Sequence, residues 1–174
     1  MTKKPLTILL NTILSSIMVI AVLCSIPVVS ANASETETTA PMENIISETT
    51  EYHSDGSSTT IIVAELPQPQ SRASAYTKKG YKTYIARDKK GNEQWRFTLN
   101  GTFSVNPGVN AVCTAASYSI KITNNSWQKE SASAKRSGNQ AIGEAAFIKK
   151  MLLITTEKKS CRVVLSCDKN GKLS

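Results

Sequence analysis

The 174-residue chain is 40% hydrophobic and carries 21 Lys and Arg against 13 Asp and Glu, a formal net charge of +8, with one His and four Cys. Such a balance points to polyanions without choosing among them. One histidine and scattered cysteines match no zinc-ligand spacing and leave little from which to assemble a Ser-His or Cys-His nucleophile.

The first 33 residues read as a secretory signal peptide. Lys3 and Lys4 form a positive n-region, an apolar run extends from Leu6 to Val29, and Ala31-Asn32-Ala33 has the small-x-small pattern of a cleavage site. Cleavage after Ala33 leaves a mature chain from Ser34. An uncleaved anchor is the rival reading, because the run approaches the length of a bilayer span. Thr7, Asn11, Thr12, Ser15 and Ser16 dilute its first half and favour cleavage. Leu23 is wrong for lipidation of Cys24, and Gly171-Lys172-Leu173-Ser174 carries no sorting tail. The expectation is a secreted protein with no transmembrane segment after cleavage.

Residues 34–75 form an acidic, Ser/Thr-rich segment and linker. Glu35, Glu37, Glu43, Glu48, Glu51, Asp55 and Glu65 stand there with no Lys or Arg before Pro67. Its apolar clusters, Ile45-Ile46 and Ile61-Ile62-Val63, are too small to offset ordering entropy, which predicts disorder. The run IIVAEL (61–66) reads as a lone extended segment, with an edge strand or a local binding segment as the alternatives. From Gln68 onward, nineteen Lys and Arg face six acids, a net of +13. An acidic leader therefore precedes a basic domain, 76–174, large enough for one core.

That domain alternates with a period of two. In QWRFTLNGTFSV (94–105), Trp95, Phe97, Leu99, Phe103 and Val105 share one face and polar residues the other, the signature of a half-buried antiparallel strand. YKTYIAR (81–87) precedes it across the turn Asp88-Lys89-Lys90-Gly91; Asn106-Pro107-Gly108 follows it. VCTAASYSIKI (112–122), SWQKESASAK (126–135), AIGEAAFIKKMLLITT (141–156) and CRVVLSC (161–167) complete the set. Glu157-Lys158-Lys159-Ser160 and Asp168-Lys169-Asn170-Gly171 read as turns. A helix from Ala141 to Leu153 is the rival for the fifth segment. The predicted fold is all-β: an antiparallel β-sandwich, immunoglobulin-like or a small barrel, of about six strands.

Gly138 to Gly143 has the spacing of a phosphate loop, but Glu144-Ala145 stands where Lys-Ser/Thr is needed. Ser137-Gly138-Asn139 is a turn. Three cysteines remain in the mature chain. Cys161 and Cys167, on one strand about 20 Å apart, are too distant to bond. Strand counting brings Cys113 beside Cys167, and a Cys113–Cys167 disulfide is expected, with Cys161 left over. Glu130 and Glu144 are the only candidates for a carboxylate pair and read better as charge balance. Asp168-x-Asn170-Gly171 lacks the remaining ligands of a calcium loop. No catalytic residue, metal or cofactor is expected.

The stretch 75–90 interleaves Tyr76, Tyr81 and Tyr84 with lysines, and Lys78, Lys79, Tyr81, Lys82, Lys89 and Lys90 are the candidate binding residues. The competing reading is tyrosines filling strands and lysines guarding edges. YTKKGYKTYIA, NGTFSVNPGVNAVCTAASYSIKI, SASAKRSGNQAIGEAAF and CDKNGKLS together resemble a family of small exported proteins of Gram-positive bacteria with no assigned function. The resemblance spans 75–174 and implies a bacterial source, so the sequons at Asn100 and Asn124 stay unglycosylated; it brings no site residues with it. The functional expectation is a non-catalytic module held on an anionic cell-surface polymer such as wall polymer, with no specific nucleic-acid partner. A diffusible toxin-like or antimicrobial effector with a removable acidic leader is the alternative.

Overall fold

A computed structural model of the chain describes residues 43–68, 75–152 and 154–174. The expected signal peptide and cleavage site, Cys24, the start of the acidic leader and Arg72 in the linker lie outside the described residues. Eight strands and no helix occur among the described residues, all of which belong to one unit, Thr38–Ser174. The strands are β1 (Asn44–Tyr52), β2 (Ser58–Leu66), β3 (Tyr76–Arg87), β4 (Glu93–Asn106), β5 (Asn110–Ile122), β6 (Trp127–Ser137), β7 (Gln140–Met151) and β8 (Ile154–Ser166).

Both sheets are antiparallel meanders, β1-β2-β3-β4-β5 and β6-β7-β8. Packed face to face they make the predicted sandwich. The inward face of β4 supplies Trp95, Phe97, Leu99, Phe103 and Val105, all nearly inaccessible. Ala141, Ala145 and Phe147 of β7 and Cys161, Val163 and Leu165 of β8 close the core from the other side. Across the interface the Trp95 ring stacks on Phe147 at 3.8 Å between centroids, and Tyr84 stacks on Trp95 at 5.6 Å. Gly143 faces the same layer. A Cβ there would stand 2.7 Å from the Phe97 ring and 3.0 Å from Leu99, so the glycine lets the sheets approach.

Two sequence expectations are overturned. Residues 44–66 of the acidic leader are not disordered: they form the hairpin β1–β2, and β2 pairs with β3 along nine residue pairs. Val63 joins the core, and Thr59 bonds the Tyr84 hydroxyl. What offsets the ordering entropy is a ready-made partner edge on β3, which composition alone does not reveal. Strand number therefore rises from six to eight, with six from Tyr76 onward.

The second correction concerns 141–160. The chain reverses between Met151 and Ile154, and Glu157 to Ser160 lie inside β8, where Phe147 pairs with Lys159 and Lys149 with Glu157. Leu152 takes φ = 47°, the left-handed region that a tight hairpin demands and that leucine seldom adopts. Nothing in the residue types announces that turn.

Candidate functional site: a basic edge on the sandwich

Strand alternation divides the six predicted binding residues. In the register with β4, Lys78 and Lys82 pair with the inward-facing Phe103 and Leu99, while Lys79 and Tyr81 pair with Thr102 and Asn100 on the opposite face. Lys89 and Lys90 occupy the β3–β4 turn, roughly 30 Å along the strand from Lys79 at about 3.3 Å per residue. The stretch 75–90 is not one patch. Lys78 is bound by Glu65, whose carboxyl is held below its usual range chiefly by that hydrogen bond. Lys82 is half-buried, and desolvation lowers its pKa. The Tyr81 hydroxyl donates to Glu43 at 2.6 Å, and burial, then that carboxylate, pushes its pKa up to about 12. Tyr84 is a core ring and Tyr76 bonds the carbonyl of Asn170 at 3.2 Å. These tyrosines are structural.

Catalytic chemistry is equally dispersed. Glu130 pairs with Lys158 at 2.7 Å and Glu144 with Arg162 at 3.3 Å, each carboxylate neutralised by its own cation. His53, expected on a disordered segment, sits at the β1–β2 turn, and its Nε2 meets Thr59 Oγ1 at 2.9 Å. Thr59 is buried, and no carboxylate bonds the ring among the described residues, so the pair lacks both substrate access and an orienting acid. No group of three His, Cys, Asp or Glu side chains gathers as metal ligands among the described residues. A cleft of about 230 Å³ is lined by Trp95, Trp127, Lys89, Lys149, Lys159 and Glu157, among others. Glu157 meets Lys149 and Lys159 at 3.8 and 3.3 Å, and with Asp55 and Asp88 facing Arg87 and Lys89 the lining of the cleft is close to neutral overall.

The expected Cys113–Cys167 disulfide is not formed; Cys113, Cys161 and Cys167 are all free and buried. Both members of the expected pair lie against the β6–β7 turn, the Cys113 amide donating to Gly138 at 2.8 Å and the Cys167 amide to Asn139 at 3.1 Å. Burial raises every thiol, Cys161 to about 12 and Cys167 to about 11, which leaves little thiolate to oxidise or ligate at neutral pH. A thiol reagent at neutral pH is expected to label none of the three until the protein is denatured, and then all three. Recovery of a single thiol after denaturation would show that two had bonded.

What the fold does assemble is a charge gradient across the sandwich. Edge strand β1 and its neighbour β2 carry Glu48, Glu51 and Glu65 and no cation. Four strand spacings away, about 19 Å, lies the opposite edge, where β5 and β6 adjoin. The Arg136 guanidinium on β6 donates to the carbonyl of Thr114 on β5 at 2.7 Å and ties these strands across the two sheets. Lys121, Lys129, Lys135 and Arg136 are exposed around this edge rather than on one face: Lys121 is in register with Arg96 on the outer face of one sheet, Lys135 with Ile142 on the outer face of the other, and Lys129 and Arg136 with the inward Phe147 and Ala141 between them. None is paired with a carboxylate among the described residues. Its one acid, Glu130, is taken by Lys158. Sequence reading missed these four because they are spread over sixteen positions in two segments; the signal available was the near absence of acids from β5 and β6. No family model, curated protein or solved structure matches the chain.

Proposed function

We propose that the chain is an exported, non-enzymatic β-sandwich module that attaches electrostatically to an anionic cell-surface polymer through its β5–β6 edge. The observation that carries the reading is the set Lys121, Lys129, Lys135 and Arg136, exposed around that edge and without carboxylate partners among the described residues, on strands that hold a single acid. Cations with no carboxylate partner displace the counterions of a polyanion and give salt-dependent affinity. Export is supported by the n-region, apolar run and Ala31-Asn32-Ala33 at the start of the chain. Among the described residues no helix is long and apolar enough to cross a membrane.

Residues 44–66 weigh against the diffusible effector with a removable acidic leader. Arg72 in the linker is the cation at which a leader would be cut, and removal of the leader would then require β2 to leave the nine-pair ladder it shares with β3. The test is retention of the purified mature protein on immobilised polyol-phosphate wall polymer across a salt series. Replacing Lys121, Lys129, Lys135 and Arg136 together by Gln should weaken binding by about 100-fold or more at low salt and flatten its salt dependence, at roughly 1 kcal/mol per cation near an anionic surface. Equal retention of the quadruple variant would remove this edge from the binding surface. Absence of retention at low salt would remove the polymer.

A further inference from the structure

The β7–β8 hairpin ends in an exposed apolar tip. Met151 is 63% exposed, Leu152 92% and Ile154 68%, the one place among the described residues where three large apolar side chains so exposed lie within four positions. The tip runs past the end of β6. Trp127, the first residue of β6, pairs with Lys149, and the amide of Lys150 bonds Ser126, so residues 151–155 have no β6 neighbour. Two residues per arm carry the tip about 7 Å beyond that strand. Leucine at φ = 47° is a poor choice for the turn itself, where Asn or Gly would hold the same backbone without strain. An unfavourable conformation kept by a solvent-exposed leucine points to a use for that side chain.

Behind the tip stand Lys149 and Lys150 on β7 and Lys158 and Lys159 on β8. Lys149 and Lys159 meet Glu157, Lys159 also reaches Asp55 at 4.0 Å, and Lys158 meets Glu130; Lys150 has no carboxylate partner among the described residues. Ion pairs so exposed are weak and exchange readily for other anions. An apolar point with a collar of ammonium groups is complementary to a bilayer whose phosphates surround a hydrocarbon interior. Interfacial binders bury their apolar side chains about 5–10 Å deep, a depth this projection matches.

We infer that the β7–β8 tip inserts Met151, Leu152 and Ile154 into the interface of an anionic phospholipid bilayer, with the lysine collar on the headgroups. This is distinct from polymer binding at the β5–β6 edge, which uses other residues and no apolar insertion. The test is flotation of the mature protein with vesicles rich in phosphatidylglycerol and with vesicles of phosphatidylcholine alone. The wild-type chain is expected to float with the anionic vesicles, and part of that binding should survive salt that abolishes purely electrostatic attachment. Leu152→Asn should weaken it by about tenfold or more, from loss of one buried leucine. The same substitution should raise the melting temperature, because Asn tolerates the left-handed conformation. Weaker flotation with a higher melting temperature cannot come from misfolding. At salt that abolishes electrostatic attachment, the quadruple edge variant should float as the wild type does.

Three results would overturn the inference. One is unchanged flotation of Leu152→Asn, and another is complete release of the wild type by salt. The third is no flotation at all, accompanied by a dimer in size-exclusion chromatography that Leu152→Asn dissolves; the tip would then be a contact between two copies of the chain.

Discussion

Replacing Phe147 with alanine is expected to destabilise the fold by about 3–5 kcal/mol, the range for deleting a fully buried aromatic ring. Phe147 is inaccessible to solvent and is the β7 ring that meets Trp95 across the two sheets at 3.8 Å. Its loss opens a cavity that the flanking Ala145 is too small to fill, and it removes one stacking partner of a tryptophan that also contacts Tyr84 and Trp127. Against a total of roughly 5–15 kcal/mol for a domain of this kind, such a loss brings the protein close to unfolding. A drop of roughly 12–20 °C in melting temperature is the corresponding observable. Glu144→Gln, three residues earlier on the exposed face of the same strand, should stay within about 0.5 kcal/mol of the parent. A Phe147→Ala variant that melts with the parent would mean the two sheets do not meet at this ring.

Removing everything before residue 75 should be at least as damaging. The acidic composition of that region suggests a dispensable leader, yet β2 fills two roles. It buries Val63, worth about 2 kcal/mol, together with Ala64 and part of Ile61. It also covers the edge of β3, whose amides and carbonyls it satisfies over nine pairs. The combined loss is on the order of 5 kcal/mol by apolar burial and ladder bonds together. The bared edge would then be open to pairing between molecules. Calorimetry and size-exclusion chromatography of residues 75–174 should show a lower, broader transition and oligomers. An unchanged melting curve would make β1–β2 an appendage.

These two regions mark how far the sequence could be read. Strand β4 was legible because Trp95, Phe97, Leu99, Phe103 and Val105 alternate with polar residues over a half-buried sheet, where a period of two is a direct trace of burial. The turns at Asp88–Gly91, Asn106–Gly108 and Ser137–Asn139 were legible because their residue types carry the conformation. Strand β1 was not, since all nine of its residues are exposed and no face of it repeats an apolar pattern. His53-Ser54-Asp55-Gly56, a turn signal between Thr- and Ile-rich runs, was the clue that could have located the hairpin. The β7–β8 reversal was hidden for the opposite reason: its tip is apolar where turns are polar, and the polar Glu157–Ser160 beside it belongs to a strand. The lysines of 75–90 misled because adjacency in a strand is separation across a sheet. The basic edge is a product of topology, visible only once β5 and β6 lie together.

The plain succession of the strands carries a consequence for how the chain reaches its fold. Each ladder joins neighbours in the chain, β1 to β2 through β4 to β5, and β6 to β7 to β8. Each hairpin can therefore zip from its own turn on the microsecond scale, without waiting for a distant segment to be found. The long-range event left is the meeting of two preformed meanders, which brings Trp95 onto Phe147 and seats Gly143 against Phe97. Folding speed should then be governed by that single docking step, and substitutions at the inter-sheet layer should slow refolding where substitutions in the turns do not.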